Sequence, residues 1–525
     1  MTNIKGMLYL ALGMLGLVII QLWYQQHPTI TPQPATSHAA VHKEALDIVD
    51  PSRLVSMEND YLKVDIDPVG AKIVQTAIKG YFKTIKKVNL VTLLSQGKDY
   101  QYYALSGYQG DEALVFSIDH ADKHAIVLSA AKNNIKYIKQ FTFSETPYTV
   151  IQSNTVENNS FDPIKLRPYI AFLSMHESDE ALPAKSFHPG EIQPATGGWF
   201  SIPTYSGASY YTESKPYTKL PYTKIETGTS PVKITGGWFA LQQRYFLNAW
   251  VPSPSSTNTL QTHWQNDVGD DLRKMILQMI GPEILVDADK QVQTQQTLYS
   301  GPELENVLHQ IAPGLDLTID YGWLWLLSHW LFWIMDKIDL IVHNWGISII
   351  LVTALIKLVF YKMSEKAFVS GLRMKKIQPR IQQIQEQFKD DPASKNKAIL
   401  ELYQKEKINP VGGCLPLLIQ FPFLIALYWV LIESVQLRQA AFLWIPDLSS
   451  YDPFYILPVI LGLGMYFQQK MTPTALDPAQ EQAMMVVPFL MTFLFSRFPA
   501  GLALYMLTNA FLTALQQWYL ARKYK

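Results

Sequence analysis

A succession of long apolar runs after Asp320 constrains this 525-residue chain more than any other property. They cover residues 340–361, 415–435, 455–470, 483–496 and 501–519. Each is a candidate transmembrane helix, because about 20 apolar residues at 1.5 Å per residue cross a hydrocarbon core of about 30 Å. The composition suits a membrane protein, with 48% of residues hydrophobic and 17% charged. A further apolar stretch, 321–335, carries Trp323, Trp325, Trp330 and Trp333 but is short for crossing. Residues 321–338 are therefore expected to form an amphipathic helix lying in the interface. Lys plus Arg and Asp plus Glu both total 44, which removes any global electrostatic case for a nucleic-acid partner. The only cysteine, Cys414, excludes an internal disulfide.

Upstream the pattern differs. Lys5 precedes an apolar run, 7–24, that reads either as a cleaved signal peptide or as an uncleaved anchor. Trp23 and Tyr24 at its end favour a membrane anchor over residues 1–25. Residues 26–52, rich in Pro, Thr, Gln and Ala, read as a flexible linker. From 53 to 320, short alternating runs such as Leu62-Lys63-Val64-Asp65-Ile66 are punctuated by Gly and Pro. One large, water-soluble antiparallel β-sandwich is expected there.

Basic residues set the orientation. The loop 362–409, with Arg373, Lys375, Lys376 and Arg380, and the tail Arg522-Lys523-Tyr524-Lys525 both belong in the cytoplasm, and the four runs between them agree with that. Lys5 agrees too, provided that the anchor and 340–361 span while the tryptophan-rich segment does not. The β domain then lies outside the cytoplasm. Within the loop, Met374, Ile377, Ile381, Ile384 and Phe388 recur along one helix face, and Asp390-Asp391-Pro392 should end it. A second helix over 395–407, with Ile399, Leu402 and Tyr403, would pair back as a hairpin. Its basic face reads equally as merely solvated or as a docking surface for acidic headgroups or a ribosome.

No HExxH, GxSxG, phosphate-binding loop or paired Cys/His spacing occurs, so no catalytic residue, metal or cofactor is expected. His329 and His343 read as polar anchors near the outer interface. Lys357 is the strongest anomaly, a cation inside the otherwise apolar stretch 347–360. An unpaired charge at mid-membrane costs about 2.5–3.5 kcal/mol on insertion scales. Snorkelling towards Lys362, about 7–8 Å along the helix, explains it as well as a hydrated cavity does. Thr353 on the same helix, Gln420 and Gln436 on a second, and Tyr505, Thr508, Asn509, Gln516 and Gln517 on a third shift the balance towards a wet interior. Polar residues also join membrane helices where there is no cavity.

The segment Asn409-Pro410-Val411-Gly412-Gly413-Cys414-Leu415-Pro416-Leu417-Leu418-Ile419-Gln420-Phe421-Pro422 closely resembles the signature of YidC/Oxa insertases at the start of their third membrane helix. Trp345-Gly346-Ile347-Ser348-Ile349-Ile350, Leu443-Trp444-Ile445-Pro446-Asp447-Leu448 and Phe498-Pro499-Ala500-Gly501-Leu502 lie in the family's order, and the resemblance covers nearly all of 321–525. Gly236-Gly237-Trp238-Phe239-Ala240-Leu241-Gln242-Gln243-Arg244-Tyr245-Phe246 resembles the Gram-negative form. The resemblance implies a polytopic α-helical membrane protein with a five-helix insertase core over 339–525, an N-terminal anchor helix and an all-β periplasmic supersandwich domain. It implies the bacterial inner membrane, with both termini cytoplasmic.

It further implies a hydrophilic groove open to cytoplasm and lipid, formed by Lys357, Thr353, Gln420, Gln436, Tyr505, Asn509 and Gln516. Many relatives have arginine where Lys357 stands, and lysine lacks arginine's bidentate fork. Some carry paired tyrosines where this chain has Tyr505-Met506. The implied function is that of an insertase and chaperone for nascent membrane proteins, working alone or with the Sec translocon. A ribosome or targeting factors would reach Arg373, Lys375, Lys376 and Arg380 on the hairpin and the basic tail, with membrane lipids around the core. A small-solute transporter is the main alternative, although the helical part lacks an internal repeat. An intramembrane protease lacks a nucleophile and base motif, and a sugar receptor built on the β domain lacks a site that demands it.

Overall fold

A computed structural model of the chain describes residues 49–96, 100–177, 205–221, 224–225, 230–266, 272–388, 391–406, 415–471 and 478–524. The expected anchor at 1–25, nearly all of the linker, and Asn409 to Cys414 of the signature lie outside the described residues, as does Lys525 of the basic tail.

The alternating sequence after residue 53 folds into two large antiparallel sheets. One runs Val55–Glu58, Leu62–Asp67, Lys72–Phe82, Tyr100–Tyr108, Pro168–Glu177, Leu272–Ile280, Thr257–Asn266, Val232–Thr235, with two short strands added at its side. The other runs Lys215–Leu220, Gly207–Thr212, Phe239–Gln243, Phe246–Val251, Lys290–Pro302, Thr149–Asn158, Ile135–Phe143, Ala125–Lys132, Ser117–Ala121. Their inner faces meet through aromatic side chains. Phe172 of the first sheet lies edge-on to Phe239 of the second at 5.6 Å, and Trp250 donates its Nε1–H to Ala171 O at 3.1 Å. Polar pairs also cross the sandwich, including Thr76 with Ser300 at 2.7 Å and Asn154 with Ser106 at 2.8 Å. Buried groups of this kind are tolerated because each finds a partner, and they fix the register of one sheet on the other. The expected all-β sandwich is thus the observed one. Asn158, which with Asn159 and Ser160 forms a glycosylation-like triplet, is spent internally, since its amide donates to Val286 O at 3.0 Å.

Helices take over at the end of the sandwich. They are α1 (Glu305–Ile311), α2 (Trp325–Val342), α3 (Trp345–Val359), α4 (Tyr361–Gln387), α5 (Pro392–Lys405), α6 (Leu415–Glu433), α7 (Ile456–Met471), α8 (Pro478–Phe495) and α9 (Ala500–Lys523). The tryptophan-rich helix α2 continues to Val342, beyond the expected end at 338. The apolar run 340–361 is accordingly not one helix. His343 adopts a left-handed conformation, and the Asn344 side chain caps the new helix by accepting from Ile347 N at 3.1 Å. Phe360 then separates α3 from α4, which meet at a bend of 64°.

Asp391 accepts from Ala393 N and Ser394 N, so α5 starts at Pro392, three residues before the expected position. Pro at the first helical position gives up an amide that has no partner there anyway. Met374, Ile377 and Ile381 of α4 pack on Ile399, Leu402 and Tyr403 of α5. Among the described residues no single helix is long and apolar enough to cross a membrane, while α3 and α4 together pass by length and composition.

Two of the quoted motifs work as joints. Gly346 lies so close to Phe442 that any Cβ would enter its ring. Gly501 N and Ala500 N, at the start of α9, donate to Leu448 O at 2.9 Å and Ser450 O at 2.6 Å. The loop that follows Leu443 thereby satisfies amides that the first turn of α9 cannot satisfy itself.

Candidate functional site

The polar residues of three helices converge on α9. Lys357, two residues before the end of α3, is half-buried, and its Nζ donates to Thr513 Oγ1 at 2.7 Å. Thr513 in turn donates to Asn509 O at 2.6 Å, within α9. The Gln420 side-chain amide of α6 donates to Asn509 Oδ1. Gln516 donates to Tyr361 O at 3.2 Å, where α3 bends into α4. Asn509, Thr513 and Gln516 stand at four- and three-residue steps, so they share one face of α9. Lys357 therefore has a polar partner inside the protein, in addition to any route towards the surface.

The remaining predicted residues sit differently. Thr353, one turn before Lys357, is buried and spends its hydroxyl on Ile349 O at 2.6 Å. Tyr505, one turn before Asn509, is 1% exposed, and its hydroxyl has no hydrogen-bond partner among the described residues. Gln436 is not brought to this cluster. It lies in the 3-10 turn Val435–Leu437 beyond the far end of α6, whose last residue, Glu433, is 13 residues and so about 20 Å along the helix from Gln420. Helix α6 ends at Glu433, and the neighbouring Arg438 and Gln439 both donate to Phe82 O of the β-sandwich, at 2.6 and 3.0 Å.

Thr513 was absent from the sequence-derived set. Its four-residue step from Asn509 was the available signal, hidden because threonine is common on apolar helix faces.

On the hairpin, Arg373, Lys375, Lys376 and Arg380 are exposed, and Arg380 bonds Glu406 at 2.7 Å, tying α4 to the end of α5. The root of α4 is fastened to the end of α9: Lys523 Nζ and Tyr524 Oη both reach Glu365 Oε1, at 2.7 and 2.9 Å. Those two bonds hold the Glu365 carboxyl below its usual range. At the other end, His329 of α2 lies 3.0 Å from Glu305 of α1.

What the cluster can do chemically is limited and specific. It contains one cation, several amides and hydroxyls, and no nucleophile paired with a base. Such a set can solvate or attract a polar or anionic group.

The comparisons with known proteins cover both halves of the chain. Residues 54–334 match the family model for the YidC periplasmic domain, and residues 337–525 match that for the 60Kd inner membrane protein. A membrane protein insertase YidC of Coxiella burnetii (strain RSA 331 / Henzerling II) is 38% identical over 522 residues, covering 95% of this chain and 89% of the relative. That of Ectopseudomonas mendocina (strain ymp) is 36% identical over 520 residues, covering 94% and 88%. A crystal structure of an active YidC insertase with its first transmembrane domain resolved aligns over 89% of this chain and 93% of that one, at 17% identity and a TM-score of 0.39. With a matching periplasmic-domain model over more than half its length and full-length relatives above one-third identity, the chain belongs to the YidC family of inner-membrane proteins with a periplasmic domain.

Proposed function

We propose that this protein is a membrane protein insertase and chaperone whose working surface is the polar cluster between α3, α6 and α9. The observation that carries this reading is the seating of the Lys357 ammonium on Thr513, beside the Gln420 and Asn509 amides, within a helical unit whose outer surface is apolar. Leu351, Leu355, Val459, Leu463, Phe489 and Phe493 are all more than 40% exposed. Apolar surface on that scale calls for lipid.

In this reading α3, α6, α7, α8 and α9 span the inner membrane and α2 lies in its outer interface. The exposed indoles of Trp323, Trp325, Trp330 and Trp333 suit that position, while Leu331 and Met335 on the other face pack inward. The sandwich is then periplasmic, and the hairpin and the basic tail are cytoplasmic. A nascent helix brings its polar or acidic flank to Lys357 and the amides, which replace part of the water that the flank loses. Its apolar residues meet lipid, and their burial, at about 0.8 kcal/mol per methylene, drives release sideways without a nucleotide. Client delivery by a ribosome, targeting factors or the Sec translocon would use the hairpin face carrying Arg373, Lys375 and Lys376.

Reconstitution tests the reading. Purified protein in liposomes should insert a small single-spanning substrate with an acidic flank, Lys357→Arg should retain that activity, and Lys357→Ala should lose it selectively for acidic flanks. Equal insertion of all substrates by Lys357→Ala would sink the role of the cation. No gain over empty liposomes would leave a partner-dependent chaperone.

A further inference from the structure

The motif at residues 236–246 is the longest distinctive stretch of the β domain, and the groove makes no use of it. Three of its polar side chains donate towards the connection and α6. Trp238 Nε1 donates to Pro313 O at 3.0 Å, and Gln242 Nε2 donates to Thr318 O at 3.2 Å, both in the connection from the sandwich to α2. Arg244, at the tip of the hairpin between Phe239–Gln243 and Phe246–Val251, donates from Nε to Ile432 O at 2.9 Å, in the last turn of α6. Its guanidinium lies 4.8 Å from the Tyr245 ring centroid. From the opposite side of the turn after α6, Arg438 sits 5.8 Å over Phe246.

The hairpin tip is buried, with Arg244 7% and Tyr245 2% exposed. So is the end of α6, with Glu433 at 4%. The end of a helix carries partial negative charge and unpaired carbonyls, which a bonded cation offsets. Arg244 is the cation bonded to that last turn. Its Nη2 and Glu433 Oε1 are both buried without a hydrogen-bond partner among the described residues, so no direct bond joins them.

We propose that this hairpin is the docking key of the periplasmic domain, and that Arg244 locks it onto α6 by capping the helix end at Ile432 O. The domain is then held against the same helix that carries Gln420 at its inner end. Docking stands or falls independently of the insertase reading, because it concerns the two parts of this chain alone.

The test uses the full-length protein in lipid nanodiscs, with Cys414→Ser and spin labels at exposed Lys290 and Phe454, read by pulsed EPR. The parent should give one narrow distance. Arg244→Met should broaden it roughly twofold or more, as expected for a domain freed to move about its connection, and should raise amide exchange over residues 426–433. Arg244→Lys, which keeps the charge, should stay narrow, and so should Glu433→Gln. A narrow distance and unchanged exchange in Arg244→Met would overturn the proposal.

Discussion

Thr513→Val is the perturbation that isolates the geometry of the candidate site from its charge. Valine keeps the shape of the side chain and removes the oxygen that accepts from Lys357 Nζ at 2.7 Å. Hydrogen bonds to charged groups contribute about 1.5–3 kcal/mol, which at about 1.4 kcal/mol per factor of ten sets an upper bound near 10–100-fold on what the seat could contribute to rate. The lysine side chain has four rotatable bonds and is only half-buried, so part of that loss is recovered by water or by movement towards the interface. The expected outcome is therefore a loss of about 3–10-fold in the initial insertion rate of an acidic-flanked substrate into proteoliposomes. Thr513→Ser, which keeps the hydroxyl, should stay near the parent. A substrate with a neutral flank should respond little to either change. If Thr513→Val and Thr513→Ser behave alike on both substrates, the ammonium does not depend on this seat, and snorkelling becomes the better account of Lys357.

Two further predictions concern the sandwich. Lys139 and Asp111 are each 1% exposed and pair at 3.1 Å, with Lys139 also bonding Ser106 O at 2.9 Å. Lys139→Met alone should cost about 3–5 kcal/mol, because it strands a buried carboxylate, whereas Lys139→Met with Asp111→Asn should recover most of the loss, as read by denaturant melts. Burial, and then the charge of Glu433, push the Glu303 carboxyl well above its usual range. Its raised folded-state value means that its contribution to stability is complete below about pH 4.3 and disappears as pH rises towards the folded value. Glu303→Gln should therefore raise the melting temperature at neutral pH more than at pH 4, and a larger gain at pH 4 would contradict the sign.

The parts of this fold that were legible from sequence are those where one periodicity has one physical cause. Alternation such as Leu62 to Ile66 buries one face of a strand, and the steps Met374, Ile377, Ile381 bury one face of α4 on α5. The misreadings have causes too. Hydropathy runs through His343 and Asn344 because the residues on both sides are apolar, although an asparagine directly before an apolar helical run is a capping signal. Gln436 was grouped with Gln420 for the same reason, since the apolar run continues past the end of α6 at Glu433. The contact of Arg244 with Ile432 joins residues 188 apart, and no local pattern announces such a pair.

The helical part also explains why its polar residues lie on one helix. In lipid, apolar surface does not choose between neighbours, because a leucine gains as little from another helix as from an acyl chain. Register has to come from close packing and from polar contacts. Here α9 supplies them in sequence: Asn509 to Gln420 of α6, Thr513 to Lys357 of α3, Gln516 to the backbone where α3 bends into α4, and Lys523 to Glu365 of α4. One helix thus sets the positions of three others. The same contacts hold the site for an incoming polar flank, since the ammonium has three N–H donors and can meet a carboxylate while Thr513 keeps it in place. Insertion and helix register then draw on shared contacts, so variants that weaken the Lys357 seat should destabilise the core and slow the insertion of acidic flanks together.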